Sequence, residues 1–227
     1  MVLIFKSSKN MTPMGYWALS SGGKDSVLAM YTAMQKVEIS GIISIMPKKD
    51  SYLFHYPNVK WVSLQAQSMN IPIRLIDGTR WINLDEERKR FKTVKEVLRE
   101  ESAEGLISGL IASNFQRKIL EDLGVELFLP LWGYDQEEVL KLFIKEKFEG
   151  VITGVAAEGL DESFLGRGID EKLIEDLRGK RINIAGEGGE IETFVLDGPI
   201  FSKRLKIKKA KKVWEGDRGF LFIEEIE

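Results

Sequence analysis

Short apolar runs alternate along the first half of the chain with longer segments in which apolar residues recur at helical spacing. Strands are predicted at residues 16–19, 41–45, 71–76 and 105–109, and helices at residues 59–69, 85–101 and 112–123. The helical spacing is clearest in residues 85–101, where one apolar face carries Phe91, Val94, Val97 and Leu98. This order predicts a parallel sheet with helices on both faces, which binds ligands beyond the carboxyl ends of its strands.

The pattern changes after residue 130. A helix at 136–146 and a strand at 150–155 lead into a glycine-rich acidic stretch, and residues 203–227 predict a hairpin with a basic first strand and an acidic second strand. We therefore expect an α/β fold, with a doubly wound parallel sheet in residues 1–130 and a smaller α+β domain in residues 131–227. Residues 1–13 form either a short strand and turn or an extension.

The loop after the first predicted strand has the composition of a phosphate site. It contains Ser20, Ser21, Gly22, Gly23, Lys24, Asp25 and Ser26. Glycines bring backbone N–H groups close to phosphate oxygens, the following helix N-terminus adds donors, and Lys24 adds a positive charge. Asp25 after Lys24 excludes the P-loop pattern for β- and γ-phosphates. The alternative is an ordinary turn in which Asp25 or Ser26 caps the helix.

Two further segments are expected at the same edge of the sheet. The first runs from Gly109 through Ser113 to Arg117, whose planar guanidinium suits phosphate; the alternative is a helix start with a surface arginine. The second contains His55 among aromatic residues, where a packing role and a binding role are equally open.

A glycine-rich segment late in the chain carries several carboxylates. Its candidate residues are Glu187, Gly189, Glu190, Glu192 and Thr193. Period-2 alternation places Glu190 and Glu192 on one face of a strand. Paired carboxylates suit a magnesium ion, a cationic substrate group or an incoming amine, and the alternative is a solvated acidic hairpin.

Composition excludes several classes of site. There is no cysteine, which excludes disulfides, thiolate metal sites and iron–sulfur clusters, and the single histidine excludes multi-histidine metal sites. A net charge of −2 argues against a broad nucleic-acid platform. No apolar run reaches the length of a membrane span and no signal-peptide pattern is present, so we expect a cytoplasmic protein without a membrane partner. A homo-oligomer is compatible with the sequence.

The run from Ser21 to Ser26 resembles the signature of the PP-loop ATP pyrophosphatases, which cleave ATP between the α- and β-phosphates. Together with the segment from Gly109 to Arg117, Pro130-Leu131-Trp132 and the late segment from Gly186 to Thr193, it resembles the diphthine–ammonia ligase family. The resemblance begins at about Gly15 and covers nearly the whole chain. It implies a Rossmann-like PP-loop sheet.

The resemblance also implies an activity: amidation of the diphthine carboxylate on translation elongation factor 2, using ATP, Mg²⁺ and ammonium. It implies ATP contacts for the loop from Ser20 to Ser26 (the phosphate loop) and for His55, Gly109, Ser113 and Arg117. Asp25 would hold magnesium or orient this loop. Lys24, Asp25, Glu187 and Glu190 become candidate catalytic residues. Glu187, Gly189, Glu190, Glu192 and Thr193 become candidate substrate-binding residues.

Three alternatives remain. The chain could adenylate tRNA, although thiolating enzymes of that kind commonly use cysteines that this chain lacks. It could form an amide on a free carboxylate metabolite. It could also bind ATP as a sensor without releasing pyrophosphate.

Overall fold

The computed structural model describes residues 15–47, 58–78, 91–180, 182–186 and 188–227. The predictions for residues 1–13, His55 and Glu187 lie outside these ranges.

A parallel sheet organises the first part of the chain. Its strands are β1 (Tyr16–Leu19), β2 (Ile39–Pro47), β3 (Ile73–Gly78), β4 (Gly105–Ile107) and β5 (Glu126–Phe128). The spatial order is β3, β2, β1, β4, β5, and neighbouring strands are parallel. Pro72 directly precedes β3, which is an edge strand, and a proline is tolerated at the entrance of such a strand. The strand order reverses between β1 and β4, where the loops from the two strands separate and leave a crevice.

Helices cover both faces of this sheet. They are α1 (Lys24–Ala33), α2 (Val62–Ser68), α3 (Lys92–Glu100) and α4 (Asn114–Glu121), with a 3₁₀ turn at Val59–Trp61 before α2. Buried residues of α1 and α2 pack on one face, and those of α3 and α4 pack on the other. The doubly wound architecture predicted from the sequence is therefore confirmed.

An antiparallel sheet organises the second part. Its strands are β6 (Glu149–Val155), β7 (Ile191–Asp197), β8 (Ile207–Glu215) and β9 (Arg218–Ile226), in the order β7, β6, β9, β8. The predicted C-terminal hairpin is confirmed, including its charge pairing: Lys209 Nζ lies 2.7 Å from Glu224 Oε2.

Two helices accompany the antiparallel sheet, α5 (Gln136–Lys145) and α6 (Glu171–Leu177). Asp135 caps α5 by accepting the N–H groups of Glu137 and Glu138, and Asp170 caps α6 in the same way through Leu173. A 3₁₀ turn at Glu162–Phe164 lies between them in sequence.

The two sheets share a hydrophobic core. One cluster of buried side chains contains Val27 and Leu28 of α1, Phe143 of α5, and Phe194 and Val195 of β7. The second cluster belongs to the parallel sheet and its α3 and α4 face. The division of the chain at residue 130 stays a proposal, since helix α5 and strand β7 pack into the same core as the first sheet.

Several predicted elements differ from those observed. Helix α4 begins at Asn114, two residues later than predicted, because Ser113 is its N-cap residue and accepts the Gln116 N–H. The described helix α3 starts at Lys92, while the predicted start near residue 85 lies outside the described ranges. Strand β5 and helix α6 were not predicted: β5 is only three residues long, and the flanking glycines obscured the spacing of α6.

Candidate active site

The serine-glycine loop between β1 and α1 forms an uncapped helix N-terminus. Helix α1 begins at Lys24, and its N-cap residue is Gly23, which has no side chain to accept a first-turn N–H. The capping alternative with Asp25 or Ser26 at the N-cap is therefore wrong, because both residues lie within the first turn. A helix N-terminus without a capping side chain leaves donors for an external anion.

The hydroxyl groups of this loop are already ordered by hydrogen bonds. Ser20 Oγ accepts the Gly22 N–H at 3.1 Å and lies 3.1 Å from Ser26 Oγ, which donates to the Gly23 carbonyl at 3.0 Å. Ser20 is buried, and Ser21 lines the adjoining cavity. The loop therefore presents serine hydroxyls and backbone donors together, as a phosphate group requires.

Lys24 connects the loop to the second sheet. Its side chain is only 2% exposed, and Nζ donates to both oxygens of the Asp25 carboxylate, at 2.9 and 2.8 Å, and to the Ala185 carbonyl. Its backbone N–H donates to the Thr193 hydroxyl at 3.0 Å. The charge that the sequence placed at the loop is therefore buried beside the cavity and held by two separate segments of the chain.

Gly109 follows β4 and lies directly against the start of α1. A Cβ atom at this position would come within 2.6 Å of the Asp25 carbonyl carbon and oxygen, and within 2.7 Å of the Ser26 nitrogen. These are backbone atoms of a helix turn, which cannot rotate away as a flexible side chain could. Glycine at position 109 is therefore needed for the β4 loop to approach the phosphate loop.

A cavity opens at the carboxyl ends of β1 and β4, and it has two chemically distinct ends. The polar end contains loop residues Ser20, Ser21, Gly23 and Ser26. The apolar wall comes from β2, the segments flanking β4 and α3, and helix α4: Ile45, Phe91, Leu110, Ile119 and Leu120. A nucleotide has the same division between charged phosphates and a planar base, so the donor set and the wall fit ATP.

Strand β7 of the second sheet closes the polar side of this cavity. Glu192 and Thr193 line it, and Val195 donates its N–H to the Gly22 carbonyl at 3.0 Å. The Glu192 carboxylate lies close to β6, since a Cβ on Gly154 would be 3.2 Å from Glu192 Oε2. The phosphate loop and the carboxylate-bearing strand, which are far apart in sequence, therefore form one site.

Glu190 and Gly189 precede this strand rather than belonging to it. Glu190 lies in a bend before β7, so the predicted alternation with Glu192 along one strand face is wrong at this end. Glu190 Oε2 is buried and has no hydrogen-bond partner among the described residues. Gly189 has φ +88° and permits the turn that leads into β7.

Arg117 and Ser113 do not line this cavity. Arg117 stacks on Trp132, with the guanidinium carbon 4.7 Å from the ring centre, and its Nε donates to Glu121 at 2.7 Å. The neighbouring Gln116 lines the cavity instead. Residues one position apart on a helix point about 100° apart, and the sequence alone did not show which of the two faces the cavity.

Among the described residues, no group of three or more histidine, aspartate or glutamate side chains is arranged to hold a metal ion. Magnesium commonly binds through one or two carboxylates together with substrate phosphates, so a dedicated protein cluster is not required. Asp25 is the carboxylate of the phosphate loop and is 27% exposed.

Comparison with known families assigns the chain. The model of the diphthamide synthase N-terminal domain matches residues 14–129, and the model of the diphthamide synthase C-terminal domain matches residues 135–227. The chain belongs to the diphthine–ammonia ligase family. This family consists of ATP-dependent ligases, and the match includes both the phosphate loop and strand β7.

Two vertebrate members of the diphthine–ammonia ligase family are similar to this chain along most of their length. The chain is 32% identical over 226 residues to the Homo sapiens diphthine–ammonia ligase, covering 86% of this chain and 84% of that protein. It is 30% identical over 229 residues to the Danio rerio diphthine–ammonia ligase, covering 89% of each.

One solved structure aligns weakly with part of this chain. The U34-tRNA thiolase NcsA from Methanococcus maripaludis with its [4Fe-4S] cluster aligns with a TM-score of 0.41 and 17% identity, covering 59% of this chain and 56% of that chain. The family assignment rests on the sequence matches. In the described part of the chain, none of the helices combines the length and apolar character needed to cross a bilayer.

Proposed function

We propose that this protein converts the diphthine carboxylate of translation elongation factor 2 to an amide, using ATP and ammonium and releasing AMP and pyrophosphate. One observation carries the proposal beyond family membership. Strand β7, with Glu192 and Thr193, lies against the phosphate loop within a single cavity. An enzyme that adenylates a carboxylate needs its acceptor beside the α-phosphate, and β7 is in the position to bind that acceptor.

In the proposed complex, ATP lies along the cavity. The base packs on the apolar wall that includes Phe91 and Ile119, and the phosphates meet the N-terminus of α1. Ser21 donates its hydroxyl to a phosphate oxygen, and Ser26 does the same once its hydroxyl turns away from the Gly23 carbonyl. Gly22 and Gly23 shape the loop. This orientation directs the pyrophosphate toward the positive end of the helix, where charge that develops during cleavage is stabilised.

The chemistry divides one difficult step into two. A carboxylate oxygen of diphthine attacks the α-phosphorus of ATP, the bond to the β-phosphate oxygen breaks, and pyrophosphate leaves. Ammonia then attacks the acyl carbon, AMP leaves with the bridging oxygen, and the ammonium nitrogen loses its extra proton. Lys24, held by Asp25 and Ala185, supplies positive charge next to the departing pyrophosphate.

The carboxylates in and just before strand β7 are proposed to bind diphthine and ammonium. Diphthine carries a quaternary ammonium group, and Glu192, which lines the cavity, provides negative charge for it or for the entering ammonium ion. The buried carboxylate of Glu190 lies just before the strand, outside the cavity lining, and adds to this negative charge. Thr193 fixes the start of α1 through the Lys24 N–H. Glu187 and Gly189 complete the proposed binding segment, although Glu187 lies outside the described residues.

Four of the predicted contact residues have different places in the proposal. Asp25 is the loop carboxylate available to a magnesium ion brought by the phosphates of ATP, which would supply charge neutralisation. Arg117 is left out, because it stacks on Trp132 and bonds Glu121 away from the cavity. Ser113 acts as the α4 cap, and His55 stays a prediction.

The direct test is mass spectrometry of elongation factor 2 carrying diphthine, after incubation with this protein, ATP, Mg²⁺ and ammonium. The expected result is conversion of the carboxylate to the amide, with one AMP and one pyrophosphate per amide. Omitting ammonium or ATP is the control.

Each rival has its own outcome in the same assay. Pyrophosphate release that depends on tRNA and not on elongation factor 2 would replace the proposed substrate by RNA. Amide formation on a free carboxylate would remove the protein substrate. Binding of ATP without pyrophosphate release under all three conditions would favour a sensor.

A further inference from the structure

A buried glutamine in helix α2 touches the phosphate loop from behind. Gln65 is completely buried, and its side-chain nitrogen donates to the Gly22 carbonyl at 3.0 Å and to the Val195 carbonyl at 2.7 Å. Both partners are carbonyl oxygens that only accept, so the amide nitrogen, not its oxygen, must face them. Gln65 therefore joins three segments: helix α2, the phosphate loop and strand β7.

The Gly22 carbonyl is held from two directions. Besides Gln65, it accepts the backbone N–H of Val195 at 3.0 Å. Gly22 has φ +81°, and a Cβ atom there would lie 2.6 Å from Gln65 Oε1. The positive φ and the close approach both require glycine, and Gln65 packs against the space that a side chain would fill.

Fixing this carbonyl also fixes the N–H of the same peptide unit. In a trans peptide, C=O and N–H point in opposite directions, so the Gly22 carbonyl and the Gly23 N–H are directed to opposite sides of the loop. The carbonyl points to the buried side, toward α2 and β7. We infer that Gln65 is a positioning residue for the proposed ATP site, which aims the Gly23 N–H at the phosphates. This role rests on the proposed function, because it requires a phosphate-bearing ligand in the cavity.

The chain offers a matched control in Asn58, another buried amide that bridges the two parts of the chain. Its Nδ2 donates to the Leu221 carbonyl at 2.8 Å, and its Oδ1 accepts the Ile223 N–H at 2.9 Å. Both partners lie on β9, and neither belongs to the phosphate loop. Loss of Asn58 therefore removes a comparable buried bridge without releasing Gly22.

The test compares Gln65→Met, which keeps the side-chain length but cannot donate, with Asn58→Leu in the full chain. The dissociation constants of a non-hydrolysable ATP analogue and of adenosine are measured by calorimetry and ligand-observed NMR, and the melting temperature is measured by circular dichroism. We expect Gln65→Met to weaken the ATP analogue at least tenfold and adenosine less than twofold. Asn58→Leu should lower the melting temperature but change neither affinity more than twofold.

The outcomes separate the positioning role from the proposed function. Unchanged affinity of Gln65→Met for the ATP analogue, or an equal loss for adenosine, would overturn the positioning role while leaving ATP binding intact. A wild-type protein that binds no ATP analogue would overturn the proposed function and the positioning role together. If Gln65→Met does not fold, Gln65→Leu offers a second uncharged variant without a donor, for which the same selective loss is expected.

Discussion

At the scale of single residues, the site depends on side chains and glycines whose environments allow few substitutions. Lys24 is buried, yet its charge is balanced by Asp25 and by the Ala185 carbonyl, which is the usual requirement for a lysine inside a protein. This arrangement holds the ammonium group in place before any ligand binds. The stabilisation of pyrophosphate should therefore depend strongly on this one side chain.

Lys24→Ala should lower the rate of pyrophosphate release by about 100-fold or more, the size found when one preorganised electrostatic group is removed. The helix remains capped at its C-terminal end and packed on its apolar face, so the variant should still fold. Steady-state kinetics and circular dichroism test both statements. Lys36→Ala, an exposed position beyond the end of α1, is the control and should be active. Normal turnover of Lys24→Ala would remove this residue from the mechanism.

Gly109→Ala should weaken ATP binding and lower the melting temperature, because the added Cβ meets backbone atoms of Asp25 and Ser26. Gly168→Ala is the matched control, since a Cβ there has no neighbour within 4 Å. Calorimetric titration with a non-hydrolysable ATP analogue should show a loss only for Gly109→Ala. Equal affinities in both variants would mean that the loop after β4 can move away from Asp25 and Ser26 without weakening ATP binding.

At the scale of elements, an ion pair connects helix α5 with the end of α6. Arg178 donates to both oxygens of Glu137, at 3.1 and 2.5 Å, and Lys141 lies 2.6 Å from the same carboxylate. The hydrogen bonds from Arg178 and then Lys141 lower the pKa of Glu137 to about 2 in the folded chain. In the unfolded chain this carboxyl has its ordinary pKa near 4.5.

This shift gives a pH dependence with a definite sign. The ion pair stabilises the fold fully above pH 4.5, and the contribution is lost as the pH falls from about 4.5 to about 2. Urea unfolding of wild type and Glu137→Gln should differ most above pH 5, and the two should converge toward pH 2. In an Arg178→Ala background the same substitution should have a smaller effect. A difference that stays constant with pH would show that the loss is one of packing and not of charge.

Elements with strong local signals could be predicted from the sequence. The β8–β9 hairpin follows from its opposed lysines and glutamates, and Val94 and Leu98 mark the buried face of α3. Strand β5 could not be predicted, because three residues provide too short a pattern. Helix α4 was predicted, but not which face meets the cavity, since that depends on the packing of Ile119 and Leu120 against the sheet.

At the scale of the whole molecule, the shared core predicts that the chain unfolds as one unit. Side chains of α1, α5 and β7 belong to the same buried cluster, so neither sheet can lose its packing without exposing the other. Far-ultraviolet circular dichroism and tryptophan fluorescence should give the same midpoint. Two separate transitions would contradict a shared core.

An ATP analogue at 100 times its dissociation constant should raise the free energy of unfolding by about 2.7 kcal/mol.

The composite site shows the limit of sequence reasoning at this scale. The loop from Ser20 to Ser26 carries its own pattern, so a phosphate cradle could be predicted from it. Gln65 carries no such pattern, because an internal glutamine of a helix is common and its partners, Gly22 and Val195, are distant in sequence. The contact between Lys24 and the Ala185 carbonyl could not be predicted from the sequence either, because every residue has a carbonyl group.

The hydrogen bond from the Val195 N–H to the Gly22 carbonyl has a consequence for the history of this family. It is made by main-chain atoms, so no side-chain exchange at position 195, other than to proline, would delete the donor. Family members can therefore differ widely in amino-acid sequence, both in the parallel-sheet part and in the antiparallel-sheet part, and still keep this hydrogen bond. Covariation between alignment columns would not reveal this hydrogen bond, because it does not depend on side chains. Exchange of the C-terminal parts of two distant homologues should preserve the bond wherever the backbone register of β7 is kept.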